Sequence, residues 1–259
     1  GNCTDMVRII TLLCLLAASV QAALPAGTVW EVRTAGADTN GGCYITGSSG
    51  TDYSQQNAAH ESYTDLVLVT TTTLTSAAFP FAADDVGNCI HITAGVNFTV
   101  GFYRIVSVAV VTATLDRAAG TMGSTGGTGA VGGAVQTPQT PAANFAAGNT
   151  IYMMADGTYT VTATTNIGAN ATTTGPLSWL GYTAVRGDNG VVTWTTATNT
   201  TPLITFTADS AGYVFRNFLM TNTAGTRAEG ITLGTNIDIS NVLIQNVHMD
   251  GMSIGYLKI

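Results

Sequence analysis

The sequence predicts an all-β protein: a small β-rich head followed by a solenoid of stacked parallel strands. Two internal registers and the composition carry that prediction. Phe215-Arg-Asn217-Phe218-Leu-Met220-Thr-Asn222 aligns with Ile239-Ser-Asn241-Val242-Leu-Ile244-Gln-Asn246 at an offset of 24 residues. Asn then falls on Asn twice, and apolar on apolar at 215/239, 218/242 and 220/244. Gly230 to Gly234 aligns with Gly251 to Gly255 at an offset of 21. A repeat of this length cannot bury its apolar face alone and must stack on a copy of itself. Leucine-rich repeats and parallel β-helices both fit the period. The leucine-rich pattern needs Leu at fixed spacing and a helical return, whereas the Ile, Val, Thr and Asn content favours strands. An antiparallel sandwich with chance self-similarity is the alternative.

The stacking assigns faces. Phe215, Phe218, Met220, Ile231, Leu233, Ile239, Val242, Ile244 and Ile254 are the expected inward residues. Asn217 is expected at a corner, where Asn tolerates unusual backbone angles and bonds its neighbour up the ladder. Successive coils would lie about 4.8 Å apart.

With those repeats stands Ala147-Gly-Asn-Thr-Ile-Tyr-Met-Met-Ala-Asp-Gly-Thr-Tyr-Thr160, a strand running into a Gly-Thr-Tyr turn. Together they resemble the pectate-lyase-like right-handed parallel β-helix, over about residues 145–259. The resemblance implies a right-handed solenoid, of the kind found in secreted polysaccharide-active proteins and phage tailspikes. It does not imply one activity, since this fold hosts lyases, hydrolases, adhesins and tailspikes. A homo-trimer is the assembly that the tailspike comparison implies.

Only 9% of the 259 residues are charged, against a typical ~25%. The polar surface must therefore come from Thr, Asn, Ser and Gly. The net charge of −7 argues against nucleic acid, which needs clustered Lys and Arg. Such a surface suits neutral sugars, or Ca²⁺ if carboxylates converge.

Residues 1–22 read as a secretory signal, with five residues ahead of Met6, an apolar run from Ile9 to Ala18, and Val20-Gln-Ala22 at the cleavage site. The alternative is an N-terminal core helix. The apolar run is too short to span a membrane, so no stable span is expected after cleavage. Residues 23–135 form the head, with strands expected at Val29 to Arg33, Asp65 to Thr70 and Ile90 to Ala94, and a hairpin from Phe102 to Leu115. Gly120 to Gly133 reads as a flexible linker or glycine loop. Asn144 to Gly148 reads as a helical turn covering the first coil. Residues 136–259 form the solenoid, which ends in strand-like sequence and so predicts further coils downstream.

Cys43 and Cys89 remain after the leader. An oxidising compartment favours a disulfide between them, the alternative being two buried thiols. His248 and Asp250 share a strand face as an acid/base candidate, or form a polar edge beside the turn at Gly251. Arg216 and Asp238 fall near one ladder and are the candidate groove patch. Asp84 and Asp85 are a carboxylate pair or a turn cap, and His60 and His91 have no visible partner. Arg186-Gly-Asp188 reads as a turn. Trp179, Tyr182 and Trp194 either offer a stacking platform for a sugar or fill the core. The Asn-Thr-Asp, Asp-Asp, Gly-His-Gly and Arg-Ile-Lys motifs of the polygalacturonases are absent from residues 145–259. The expectation is a secreted or cell-surface polysaccharide-binding protein that cleaves only in a longer form, as lyase or hydrolase. The alternative is a non-catalytic fibre, adhesin or tailspike.

Overall fold

The computed structural model describes residues 24–168, 175–198, 200–207, 210–224, 228–233 and 239–254. The expected leader, Cys3, Cys14 and Asp238 lie outside the described residues. Among the described residues no helix is long and apolar enough to cross a membrane.

β1 (Thr28–Val32) and β2 (Cys43–Ile45) pair antiparallel. Six strands then close an antiparallel barrel: β3 (Glu61–Leu68), β4 (Thr73–Thr75), β5 (Cys89–Ala94), β6 (Gly101–Ala109), β7 (Thr112–Leu115) and β8 (Gly127–Val131). Closure leaves the barrel without an open edge. The strands alternate as a half-buried surface requires: in β7, Ala113 and Leu115 are buried while Thr112 and Thr114 are half-buried. Tyr63, Leu66, Ile90, Ile92, Tyr103 and Ile105 fill the interior.

β8 corrects the expected glycine linker. Its glycines serve close approach, not flexibility. A Cβ on Gly127 would lie 2.6 Å from the Phe98 ring, and one on Gly129 would lie 2.6 Å from the His91 carbonyl oxygen.

The rest of the chain forms two sheets. The four-stranded one is parallel: β11 (Thr165–Ile167), β14 (Ile204–Phe206), β16 (Ala228–Leu233) and β18 (Met252–Ile254). The eight-stranded one is mixed. Here β9 (Thr150–Met154), β10 (Thr158–Val161), β12 (Leu177–Tyr182), β13 (Val192–Thr196), β15 (Ser210–Asn222) and β17 (Ile239–Asp250) join β1 and β2. One inward row crosses five of its strands: Trp30, Ile151, Trp179, Phe215 and Ile244. The first four are fully buried and Ile244 packs against them.

This topology corrects the expected right-handed parallel β-helix, and with it the pectate-lyase-like resemblance and the solenoid period. Stacked parallel pairs do occur. They belong to a four-stranded parallel sheet and to a mixed sheet that takes in the antiparallel pair β1–β2, beside a closed antiparallel barrel. The registers differ as well. Phe215 pairs with Ile244, Phe218 with Val247 and Met220 with Met249, an offset of 29 and not 24. Ile231 pairs with Ile254, an offset of 23 and not 21.

The reason lies in the backbone. β15 bends at Gly212 and Asn217, and β17 at Asn241 and Asn246, all at positive φ. Both pairs of bends are five residues apart, so the longer offset stacks both bends at once, Gly212 on Asn241 and Asn217 on Asn246, whereas an offset of 24 would stack only Asn217 on Asn241. Asn246 Nδ2 then donates to Asn217 Oδ1 at 2.9 Å. Of the expected inward residues, Phe215, Phe218, Met220 and Ile231 are buried, while Leu233, Val242 and Ile244 pack on the core half-buried. The side chains of Ile239 and Ile254 lie outside the described residues.

Trp179 and Trp194 are fully buried, 5.6 Å apart between ring centroids, and Tyr182 is also buried. None of the three offers a platform to a sugar. The short helix falls at Gln139–Asn144, ahead of the expected turn, and Phe145 beyond it packs edge-on against Trp179. A disulfide joins Cys43 of β2 to Cys89 of β5, with Cα atoms 5.2 Å apart, so it ties the mixed sheet to the barrel.

Trp179 sits where the inward row meets Trp194 and Phe215. Trp179→Ala is expected to cost about 3–5 kcal/mol in urea unfolding. A loss below about 1 kcal/mol would contradict the packing described.

Candidate functional site

A cleft of about 510 Å³ opens between the segment Gln136–Gln139 and β10 with the turn after it. No charged side chain lines it. β10 supplies Thr158 and Thr160 on its outer face, while Tyr159 and Val161 point into the core. Thr158, Thr160 and Thr162 are exposed, and their hydroxyls bond to no described residue. The opposite wall is held in place by amides. Gln139 Nε2 donates to the Ala163 carbonyl oxygen at 2.8 Å, and Gln136 Nε2 to that of Thr34 at 3.2 Å.

Two carboxylates fix the walls. Asp38 accepts from the Gln136 and Thr137 N–H groups and from the Thr137 hydroxyl. Asp156 Oδ1 accepts from the Thr34 N–H at 3.0 Å and from the Tyr159 hydroxyl at 3.2 Å. Burial, and then the Asp156 charge, push the Tyr159 phenol far up, so it keeps its one proton, with the Val32 and Met154 carbonyl oxygens beside Asp156 Oδ1 as the acceptors within reach.

On β1, two residues before Arg33, lies the most concentrated polar cluster. Glu31 is fully buried. Its Oε1 accepts from Arg33 Nε at 2.8 Å and from the Tyr182 hydroxyl, and its Oε2 accepts from Arg186 Nε and Nη2 at 2.9 and 2.7 Å. Arg186 also reaches Asp52 Oδ2 at 2.9 Å and Ser54 Oγ at 3.0 Å, and its guanidinium lies 4.9 Å over the Tyr152 ring. Burial, and next the Glu31 carboxylate, push the Tyr182 phenol up against the opposing pull of Arg33. Every charge in the cluster is compensated, so it is a pin and not a vacant binding site. It clamps the 183–190 loop and the 52–55 segment onto the sheet. In the expected Arg186-Gly-Asp188 turn, Asp188 accepts from the Thr183, Ala184, Val185 and Gly190 N–H groups. Those four bonds hold its carboxyl well below the usual carboxylate range.

Of the predicted site residues, His248 and Asp250 lie on one exposed face of β17, Arg216 lies on β15, and Asp238 lies outside the described residues. Arg216 lies on the first limb of β15, between Leu180 and Gln245. His248 and Asp250 lie beyond the bend at Asn246, exposed, and pair with Leu219 and Thr221. His248 shares a ladder row with Thr158, through Leu219 and Thr193, and Asp250 shares one with Thr160. Among the described residues no three His, Cys, Asp or Glu side chains converge as a Ca²⁺ site would need.

In the barrel, Asp85 caps a short turn by accepting from the Ala82 N–H at 2.9 Å. Its buried Oδ1 has no hydrogen-bond partner among the described residues and lies 3.9 Å from His60 Nε2. The His60 ring stacks on Tyr53 at 3.5 Å.

Sequence reasoning missed Glu31, Arg33, Asp52 and the cleft. One signal was present: an acid inside the apolar run Val29-Trp-Glu31-Val32 needs a buried cation, and the chain has only eight Lys and Arg to offer. No protein-family model, curated protein or solved structure matches this chain.

Glu31→Gln is expected to lower unfolding stability by about 3–5 kcal/mol, because it strands two buried guanidinium groups. Adding Arg186→Met to it should recover part of that loss, and no recovery would argue against the pin.

Burial raises the Asp85 pKa, opposed by the Ala82 N–H and by His60. The protonated acid is thus favoured by folding. Its contribution is full below about pH 4, the ordinary carboxylate value, and is lost as pH rises through the raised one. Asp85→Asn should therefore gain more stability relative to wild type at pH 7 than at pH 4. An equal difference at both pH values, by urea titration, would contradict the assignment.

Proposed function

We propose that the protein is secreted and binds a neutral, hydroxyl-rich polysaccharide in the cleft between Gln136–Gln139 and β10. The observation that carries this reading is the uncharged lining with unpartnered hydroxyls at Thr158, Thr160 and Thr162. Sugar hydroxyls both donate and accept, as threonine hydroxyls do. An anionic glycan would find no cation in the lining. The Cys43–Cys89 bridge supports an oxidising destination.

Binding without cleavage is the form this reading takes. Hydrolysis needs two facing carboxyl groups. The carboxylates beside the cleft, Asp38 and Asp156, already bond the N–H groups that shape its walls.

The test is calorimetry with soluble neutral glucans, mannans and galactans beside polyuronates. At least one neutral polymer should bind and the polyuronates should not. Thr158→Val with Thr160→Val should weaken binding roughly tenfold, on the order of 1.4 kcal/mol for two lost hydrogen bonds, with the circular dichroism unchanged. Unchanged affinity in the double variant, or a preference for polyuronates, would remove the proposal.

A further inference from the structure

The barrel end opposite the β6–β7 turn is an apolar rim. Three loops meet there, residues 69–72, 95–100 and 119–124. Backbone bonds interlock them: Thr121 N donates to the Asn97 carbonyl oxygen at 2.9 Å, Thr99 N to that of Ala119 at 2.8 Å, and Ala119 N to that of Thr71 at 2.8 Å. Gly123 N donates to the Leu68 carbonyl oxygen at 2.7 Å. None of the three loops carries a charged residue. Val69, Val96, Val100 and Met122 are 50, 78, 54 and 65% exposed. A cluster of this kind on a chain with few charges calls for a cover.

At its centre stands Asn97-Phe98-Thr99, an Asn-x-Thr sequence. Asn97 and Thr99 are both exposed. Asn97 occupies a turn at φ 62°, and its side-chain amide bonds to no described residue. Phe98 is anchored over Gly95 and Gly127, so the loop that presents the amide is held from below. The asparagines of three further Asn-x-Thr sequences, Asn2, Asn170 and Asn199, lie outside the described residues.

We propose that Asn97 is an N-glycosylation site and that its glycan covers the Val69, Val96, Val100 and Met122 rim. The inference rests on the secretory part of the proposed function, because the donor is a lipid-diphosphate-linked oligosaccharide in the secretory lumen. Asn97 Nδ2 attacks C1 of the first sugar. The C1–N bond forms, the C1–O bond to the lipid diphosphate breaks, and the amide loses one proton. The apolar face of that sugar then packs against the valines, and its hydroxyls turn to water.

The experiment places the full chain behind a secretory leader of known function in a eukaryotic host, beside the chain with its own N-terminus. Failure of the second to reach the lumen counts against the secretory reading alone, since the first still reports on Asn97. Peptide mass spectrometry after enzymatic glycan release in ¹⁸O water should mark Asn97 in the lumenal protein, and Thr99→Ala should abolish the mark. Thr99→Ala leaves the Asn97 turn untouched, so its folding is not in question. Binding of an apolar dye should rise in Thr99→Ala relative to the glycosylated protein. Unmodified Asn97 in folded lumenal protein would overturn the site, and equal dye binding would overturn the cover.

Discussion

The mixed sheet depends on one row of buried side chains, Trp30, Ile151, Trp179, Phe215 and Ile244. Parallel pairing sets these residues one above another at about 4.8 Å. Ile151 lies between Trp30 and Trp179, Phe215 stacks on Trp179 with centroids 6.4 Å apart, and the Trp179 ring tilts against Trp194, which comes from the other limb of the curl. A slip of one residue would turn the neighbouring row inward, carrying Glu31, Tyr152, Leu180, Arg216 and Gln245 into the core. Two unpaired charges in that interior make the slip prohibitive. Which face of each strand turns inward, and hence which residues turn outward, follows from this constraint, while the positive-φ bends choose among the offsets that satisfy it.

That register places Glu31 outward, where a sheet residue is normally solvated. It is nevertheless fully buried, because Arg186 and the 52–55 segment fold over it. The same strand continues through Arg33 to Thr34, whose N–H and carbonyl oxygen anchor Asp156 and Gln136 at the cleft. Core row, ion cluster and cleft wall are thus consecutive along β1 and its extension. The disulfide and the edge-to-face contact of Trp30 with Phe102, 5.0 Å between centroids, carry this order to the barrel.

Several barrel strands were legible from β-branched and aromatic runs, among them the hairpin expected from Phe102 to Leu115. The inward set Phe215, Phe218 and Met220 was legible from the corner at Asn217. What was not legible was which register those strands would choose. Apolar residues fall on apolar residues at an offset of 24 or of 29, so hydrophobicity could not decide. Backbone conformation does, through Gly212, Asn217, Asn241 and Asn246, and the αL preference of Asn was visible only as a corner signal at one of them. The glycine run at 120–133 misled for the opposite reason. Composition cannot tell glycine chosen for freedom from glycine chosen because a neighbour's backbone passes close. The cleft was illegible because its walls, Gln136–Gln139 and β10, are joined only by tertiary contacts.

The sparse charges of this chain fit one physical account. Glu31, Asp38, Asp52, Asp65, Asp156 and Asp188 each accept hydrogen bonds from backbone or side-chain donors that shape a loop or seam. Their stabilisation comes from local charge-assisted bonds, which screening by salt weakens little where they are buried. Hydration of the outer surface is left to threonine, asparagine and serine. A hydroxyl surface holds water without a fixed field, so it neither repels nor attracts an uncharged polymer at long range. Recognition on such a surface must come from the shape of a cleft and the number of hydroxyls that meet there. The cleft between Gln136–Gln139 and β10 has a lining of this uncharged kind, and a charge placed on either wall would give it a fixed field.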